Sequence, residues 1–316
     1  MPDPVTRTSP VGAARAAVPT EVIERAAEAE LLEAALLSGA HVLLEGPPGT
    51  GKSTLLRRVA TGRRIPFVMV EGNAELTPAR LIGHFDPALV LSQGYVTEIF
   101  EDGPLLEALR TGGLLYVEEL TRIPEETLNV LLTAMSELEI TVPRLGRVAA
   151  APGFALVAAM NPFDAVGTAR VSSALYDRTC RISMDYQSAQ AEQAIVALRT
   201  TDLEPSWRAR VVDLVRSTRE HDDIRFGSSV RGAIDVARLS VELARLRGTS
   251  TDDWHVGLAA AKASLSGRIR LRDGCDRTPE HVVTELYVAV FGVDPADVDE
   301  AEPGDLGAPE GSPGEP

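Results

Sequence analysis

A glycine-rich octapeptide at residues 46–53, Gly-Pro-Pro-Gly-Thr-Gly-Lys-Ser, limits this chain to few folds. An apolar run precedes it at 40–44 and a helical pattern follows at 54–60, so we expect a strand, a tight loop and a helix in that order. The glycines let the loop turn several N–H groups inward at the start of the helix, where they favour an anion. The spacing is typical of a phosphate-binding P-loop, and a chance glycine-rich turn is the alternative.

The polar side chains of a P-loop have separate tasks. Lys52 is expected to reach the β- and γ-phosphates, and the Ser53 hydroxyl to ligate Mg²⁺. The predicted cofactors are therefore ATP and Mg²⁺. The residues predicted to bind the nucleotide are Gly46, Pro47, Pro48, Gly49, Thr50, Gly51, Lys52, Ser53 and Thr54.

Composition excludes several other classes of protein. The 316 residues carry a formal net charge of −15, which argues against a generic nucleic-acid or membrane-surface binder, since its field repels phosphates. Two cysteines form neither a disulfide framework nor a zinc site and fit a reducing compartment. No apolar stretch reaches the length of a membrane span, and no secretory signal is visible. We therefore expect a cytoplasmic protein.

The order of apolar segments predicts an α/β fold with a largely parallel sheet, because strand patterns alternate with helical patterns. Further strands are predicted at 64–70, 114–117, 154–160 and 181–184. A strand is also predicted at 97–100, and a hairpin is predicted to join 139–142 to 147–150.

The pattern also divides the chain. Residues 1–20 are predicted to be a flexible arm, and 21–187 the α/β nucleotide-binding core. Only helical patterns occur from 188 to 293, which predicts a second, all-helical domain. Residues 294–316 are rich in Asp, Glu, Pro and Gly and predict an acidic disordered tail.

Two predicted strands end in polar residues that suit phosphoryl transfer. Glu118 and Glu119 end the strand at 114–117; Glu118 is expected to hold Mg²⁺, and Glu119 to activate the attacking water. Asn161 ends the strand at 154–160, where its amide can hydrogen-bond the water and the γ-phosphate. Strand ends meet beside the P-loop in such sheets. The alternatives are surface acids for the glutamates and a simple Asn-Pro turn for Asn161.

Arginines stabilise the charge that spreads over the γ-phosphate during its transfer. Arg178 and Arg231 are the two candidates. Residue type alone assigns neither arginine to catalysis. On that basis alone, both are expected to be ordinary surface arginines.

From Glu21 to about Phe291 the chain resembles AAA+ ATPases and is most similar to the MoxR family, whose relatives include the CbbQ, NorQ and gas-vesicle GvpN groups. The residues that carry the resemblance are GPPGTGKS at 46–53, LLYVEEL at 114–120, LVAAMNP at 156–162, ALYDRTCRI at 174–182 and FGSSVRGA at 226–233. The resemblance implies an AAA+ core with a C-terminal helical lid.

The resemblance also implies roles for the two arginines. Arg178 would be the arginine finger that points at the neighbouring subunit's nucleotide, and Arg231 the sensor-2 arginine that reaches the nucleotide of its own subunit. A homo-oligomeric ring follows, of six subunits by resemblance. The chain departs from the family pattern at Glu118, where Asp is usual, at Thr179, where Phe is usual, and at 267–269, where Gly-Arg-Ile replaces His-Arg-Ile.

These observations predict a Mg²⁺-dependent ATPase that remodels or activates a partner protein. Such family members typically work with a von Willebrand factor A (VWA) domain partner and mature a metalloenzyme or complex. The segments 82–102 and 139–150 resemble family insertions that face the ring's pore or a partner, and solvent-facing loops are the alternative. A nucleic-acid-translocating motor and a non-hydrolysing ATP-binding switch, the latter motivated by Glu118, are the alternative functions.

Overall fold

The computed structural model describes residues 23–162, 173–200 and 203–294. The predicted arm at 1–20 and the predicted tail after Asp294 lie outside these residues. The helices are α1 Ala26–Leu37, α2 Lys52–Arg63, α3 Pro78–Ile82, α4 Pro87–Gln93, α5 Pro104–Thr111, α6 Glu125–Glu137, α7 Ser173–Asp177, α8 Ala189–Ala197, α9 Pro205–Ser217, α10 Val230–Arg247, α11 Trp254–Leu265 and α12 Pro279–Phe291. The strands are β1 His41–Glu45, β2 Phe67–Glu71, β3 Gly83–Phe85, β4 Phe100–Asp102, β5 Leu114–Glu118, β6 Glu139–Val142, β7 Gly146–Ala149, β8 Ala155–Met160, β9 Thr179–Ser183, β10 Ile224–Phe226 and β11 Arg270–Leu271.

The centre of the molecule is a five-stranded sheet in the order β2-β5-β8-β1-β9. Every neighbouring pair in it is parallel. The strand β1 leads into the P-loop and lies between β8 and β9, so the P-loop emerges among the carboxyl ends of several strands. The prediction of an α/β P-loop fold with a parallel-sheet core is confirmed.

Helices cover both faces of this sheet, which explains why β1 and β8 are buried along their whole length and why β8 and the three central residues of β1 are apolar. Leu43 points to the face that packs against residues of α5 and α6 such as Leu105 and Leu131. Its neighbours Val42 and Leu44 point to the opposite face, towards α1 and α2.

The helices α8 to α12 enclose a core of their own, with Trp207, Val236 and Leu286 among its buried residues. The C-terminal region is therefore helical, as predicted. It also contains a two-stranded antiparallel ladder of β10 and β11, which the sequence pattern did not predict. The division into separate domains at residue 188 stays a prediction.

The strand predicted at 97–100 was wrong for its first three residues. Residues 97–99 form a helical turn, closed by a hydrogen bond from Ile99 N to Val96 O of 3.3 Å. The strand starts only at Phe100, because β4 pairs antiparallel with the short strand β3. The hairpin predicted at 139–150 is present as β6 and β7. No helix in the described part of the chain is long and apolar enough to cross a membrane.

Candidate functional site

The P-loop connects β1 to α2 and folds back on itself. Lys52 Nζ donates to the carbonyl oxygens of Gly46 and Pro47, each at 2.8 Å, and Thr50 Oγ1 donates to Pro47 O at 3.1 Å. Gly49 has φ of +80°, and a Cβ there would lie 2.2 Å from Ser229 Oγ. Only glycine fits this approach, so the loop touches the start of α10 directly.

The first of the two predicted carboxylates lies against the P-loop serine. Ser53 Oγ donates to Glu118 Oε1 at 2.9 Å. The Tyr116 hydroxyl is 3.2 Å from Ser53 Oγ, and since the serine proton is used on Glu118, Tyr116 is the donor in that contact. Burial raises the pKa of Tyr116, which keeps its hydroxyl protonated. Tyr116 was not predicted as a site residue, since it sits within an otherwise apolar strand.

The second carboxylate, Glu119, lies just beyond the end of β5. Its backbone is left-handed, with φ of +52°. Its Oε2 is 3.1 Å from Nη1 of Arg122, and both side chains are more than one third exposed. An exposed ion pair of this kind contributes little to stability, so the carboxylate is held but easily released.

Most of the predicted site residues converge on one cavity, which we call the P-loop cavity. It brings Glu119, Asn161 and Arg231 together beside Lys52 and Ser53, although these residues come from distant parts of the chain. The residues that line it are Pro48, Gly49, Gly51, Lys52, Ser53, Thr54, Glu118, Glu119, Thr121, Ala159, Met160, Asn161 and Arg231. The N-terminus of the twelve-residue helix α2 also faces this space, which favours an anion.

Arg178 is the predicted catalytic residue that does not line this cavity. It lies one residue after α7, is exposed, and uses its guanidinium on neutral groups: Nε donates to Ser136 Oγ at 2.6 Å and Nη1 to Ala174 O at 2.9 Å. Within one chain it is therefore separate from Glu119, Asn161 and Arg231, the three other predicted catalytic residues.

A second cavity shares Gly49, Gly51, Thr54 and Arg231 with the first, and we call it the adjoining cavity. Its walls are mainly apolar and come from the segment before α1, from α8 and from α10. The remaining residues that line it are Ile23, Arg25, Gln187, Ile195, Leu198, Arg199, Val230 and Ile234. None of these was predicted as a site residue, because no motif links residues so far apart.

A buried carboxylate at the end of β1 connects the P-loop to the segment that bears Arg178. Glu45 accepts a hydrogen bond of 2.8 Å from the Tyr176 hydroxyl and pairs with Arg181. Burial and the bond to Glu45 raise the pKa of Tyr176. No group of three or more His, Cys, Asp or Glu able to hold an ion occurs among residues 23–162, 173–200 and 203–294.

Three features together define an AAA+ nucleotide-binding protein. The P-loop follows a central strand of a parallel sheet, a pair of carboxylates lies at the end of the next-but-one strand, and the C-terminal region is helical. Residues 41–179 match the AAA domain of the dynein-related subfamily. A solved structure of a RuvB point mutant from Thermotoga maritima superposes with a TM-score of 0.52 at 19% identity, covering 88% of this chain and 76% of that one.

Curated relatives narrow the class. The chain is 32% identical over 221 residues to the gas vesicle ATPase GvpN of Ancylobacter aquaticus, a match that spans 65% of this chain and 62% of that protein. It is 30% identical over 216 residues to the denitrification regulatory protein NirQ of Stutzerimonas stutzeri, covering 67% and 76%. The chain belongs to the MoxR-like family of AAA+ ATPases.

Proposed function

We propose that this protein is a Mg²⁺-dependent ATPase that works as a ring and remodels or activates a partner protein. The observation that carries the proposal is the P-loop cavity, where the loop, two carboxylates, an amide and an arginine meet. Phosphoryl transfer needs little more from a protein than such positioning and charge stabilisation.

The donor set beside the P-loop fits Mg²⁺. Ser53 Oγ and Glu118 Oε1 are adjacent oxygen atoms that would hold the ion, and the extra methylene of Glu118 still leaves its carboxylate in contact with the serine. Mg²⁺ is usually bound by one or two protein oxygens together with phosphates and water, so a larger protein cage is not needed. When bound, it would neutralise the charge that develops between the β- and γ-phosphates.

The other polar residues divide the remaining tasks. Lys52 and the N-terminus of α2 would bind the triphosphate, while Glu119, released from Arg122, would accept a proton from the attacking water. Asn161 would orient that water and the γ-phosphate. Arg231 would couple the helical region to the nucleotide, since it stands on α10 and lines both cavities.

Arg178 would complete the site of a neighbouring subunit. Its exposure and its neutral hydrogen-bond partners leave the guanidinium charge uncompensated by any acidic group in those contacts, which suits a finger acting in trans. The ring size, six, is taken from the family resemblance.

Steady-state ATP hydrolysis measured against protein concentration tests this arrangement. We expect turnover per subunit to rise with concentration, and Arg178→Ala to lower it by about 10³-fold, as for other arginine fingers. Small amounts of the variant mixed into the wild-type protein should poison the ring. Arg245→Ala is the matched control, because Arg245 is exposed and forms an ion pair with Glu242 of its own helix. Turnover that ignores both concentration and Arg178 would exclude shared sites.

The client and a VWA-domain partner are proposed from the family alone. One relative is named a gas vesicle ATPase and another a denitrification regulatory protein, so proteins similar to this chain are named after different cellular processes. The net charge of −15 argues against a nucleic-acid motor. ATP hydrolysis that is stimulated by DNA and sensitive to salt would support that alternative function. A non-hydrolysing switch would retain its function without the Glu119 carboxylate.

A further inference from the structure

We infer that Glu45 and Tyr176 are positioning residues for Arg178, the finger that a subunit would offer to its neighbour. The hydrogen bond between them fixes the short segment that bears Arg178 to the strand that leads into the P-loop of the same subunit. This inference rests on the proposed role of Arg178 in trans. It adds two residues that act on the reaction only through Arg178.

Arg178 follows a helix that has few anchors of its own. The helix α7 has five residues, and Leu175 is the one of them that is buried. Arg178 N donates to Leu175 O at 3.1 Å and Arg178 Nη1 to Ala174 O at 2.9 Å, so the arginine moves with α7. A helix this short is not stable by itself, and its position depends on contacts with the rest of the protein.

The Tyr176 hydroxyl supplies such a contact. It donates to Glu45 Oε1 at 2.8 Å and so joins α7 to the end of β1. Tyr176 is 41% exposed, which means that deep burial of the ring is not what fixes this side chain. The hydrogen bond therefore carries a large share of the positioning.

Glu45 gives this bond a fixed acceptor. The residue is 3% exposed, and its second carboxylate oxygen pairs with Arg181 on β9, so both oxygens of the buried group have partners. Its strand lies between β8 and β9, and Glu45 O accepts from Met184 N at 2.7 Å. The next residue, Gly46, is packed so closely against Met184 O that no Cβ would fit there.

The same carboxylate is one residue away from the P-loop. Gly46 O accepts a hydrogen bond from Lys52 Nζ at 2.8 Å. The finger that a subunit presents to its neighbour is thus held by the strand that carries that subunit's own phosphate-binding loop. A displacement of about 1 Å at a catalytic group can cost about 10²-fold in rate, so a bond that fixes α7 affects hydrolysis in the neighbouring subunit.

Complementation between two inactive variants tests the inference with the full chain. Glu119→Gln subunits, here called finger subunits, keep Arg178 but are expected not to hydrolyse ATP. Arg178→Ala subunits, here called site subunits, keep the hydrolytic groups but offer no finger. In a mixed ring, hydrolysis then occurs only where a finger subunit presents Arg178 to a site subunit. Single-turnover ATP hydrolysis by the mixture reports on that pair alone.

We expect Tyr176→Phe in the finger subunit to lower the single-turnover rate of the mixture about fivefold, the factor of one hydrogen bond. The ATP concentration that gives the half-maximal rate should not change, because the site subunit that binds this ATP is unaltered. The same substitution in the site subunit should leave the rate unchanged, because that subunit's finger is already absent. Ring size, measured by analytical ultracentrifugation, should stay the same in both mixtures.

Substitutions of Glu45 in the finger subunit test the other end of the bond. Glu45→Ala removes the acceptor and should lower the rate at least as much as Tyr176→Phe. Glu45→Gln keeps an amide oxygen for the tyrosine hydroxyl and should retain more of the rate than Glu45→Ala. A finger subunit that carries both Glu45→Ala and Tyr176→Phe should be no slower than one with Glu45→Ala alone, because both substitutions break the same bond.

The outcomes separate this inference from the proposed function. If the two variants form no mixed ring, or form one that does not hydrolyse ATP, the proposed role of Arg178 in trans fails and this inference fails with it. If they complement each other, but Tyr176→Phe has no effect in the finger subunit, changes the ring size or has an equal effect in the site subunit, the inference is wrong and the proposed function stands.

Discussion

The P-loop cavity is formed by residues close in sequence and by the ends of neighbouring strands, whereas the adjoining cavity is formed where the P-loop meets segments far apart in the chain. Lys52 and Ser53 follow β1 directly, and Glu118 ends β5 in the same sheet. Ile23 precedes α1, Gln187 follows β9, and Ile234 lies on α10 in the helical region.

The two cavities depend on different parts of the structure. The polar residues of the P-loop cavity stand on a buried sheet, and only Arg231 reaches it from the helical region. The adjoining cavity exists only while α8 and α10 lie against the core. We therefore expect substitutions in the P-loop cavity to remove chemistry, and substitutions in the adjoining cavity to change affinity by modest factors.

Glu119→Gln is expected to give the largest effect of the substitutions that follow from this comparison. The amide has nearly the shape of the carboxylate but cannot accept a proton from water. Hydrolysis should fall by about 10²–10⁴-fold while ATP affinity stays within a few-fold of wild type. Single-turnover hydrolysis and equilibrium ATP binding, measured on the same preparation, check both halves of this expectation.

Glu126→Gln is the matched control for that experiment. Glu126 is exposed on α6 and lines neither cavity, so its loss should leave both quantities unchanged. Unchanged hydrolysis in Glu119→Gln would remove the proposed role of Glu119, whereas tight ATP binding without hydrolysis in the wild-type protein would favour the switch that only binds ATP.

The same contrast explains what the sequence could predict. The P-loop, Glu118, Glu119 and Asn161 were placed together because parallel strands bring their carboxyl ends to one edge, and the pattern of apolar runs reveals such strands. Their catalytic roles stay predictions. Gln187 and Ile23 carry no local pattern. Their shared cavity arises from packing between elements, which periodicity does not encode.

Short elements were missed for a related reason. The strands β10 and β11 are three and two residues long, too short for an alternating pattern, and they exist because they pair with each other. The turn at 97–99 was predicted as a strand because Thr and Ile favour strands, but the ladder with β3 begins only at Phe100, after the turn.

Leu198→Ala tests the adjoining cavity on its own. Leu198 is 42% exposed and lines that cavity, so truncating it should not cost much stability. Loss of about half of a leucine's apolar contact with the ligand is worth about 1 kcal/mol, or about fivefold in ATP affinity. Leu246→Ala is the control, because Leu246 is 81% exposed and lines neither cavity. A loss as large as that in Lys52→Ala would mean that the two cavities do not differ as argued.

The smallest effect concerns His41, which lies at the start of β1, at the opposite end of this strand from the P-loop. Leu156 N donates to His41 Nδ1 at 3.0 Å, so the neutral ring donates from Nε2 to Met135 O at 3.1 Å. Burial lowers the pKa of His41 below its usual value of 6.5.

Because the folded pKa of His41 is the lower one, the unfolded chain binds more protons below about pH 6.5, and stability falls as pH drops from there to the folded pKa. The slope from this one group is at most about 1.4 kcal/mol per pH unit. Denaturant titrations from pH 7.5 to 5 should show a shallower slope in His41→Gln than in the wild-type protein. His84→Gln, at an exposed position, controls for the loss of any histidine. Equal slopes in His41→Gln and wild type would show that the sheet does not hold this ring neutral.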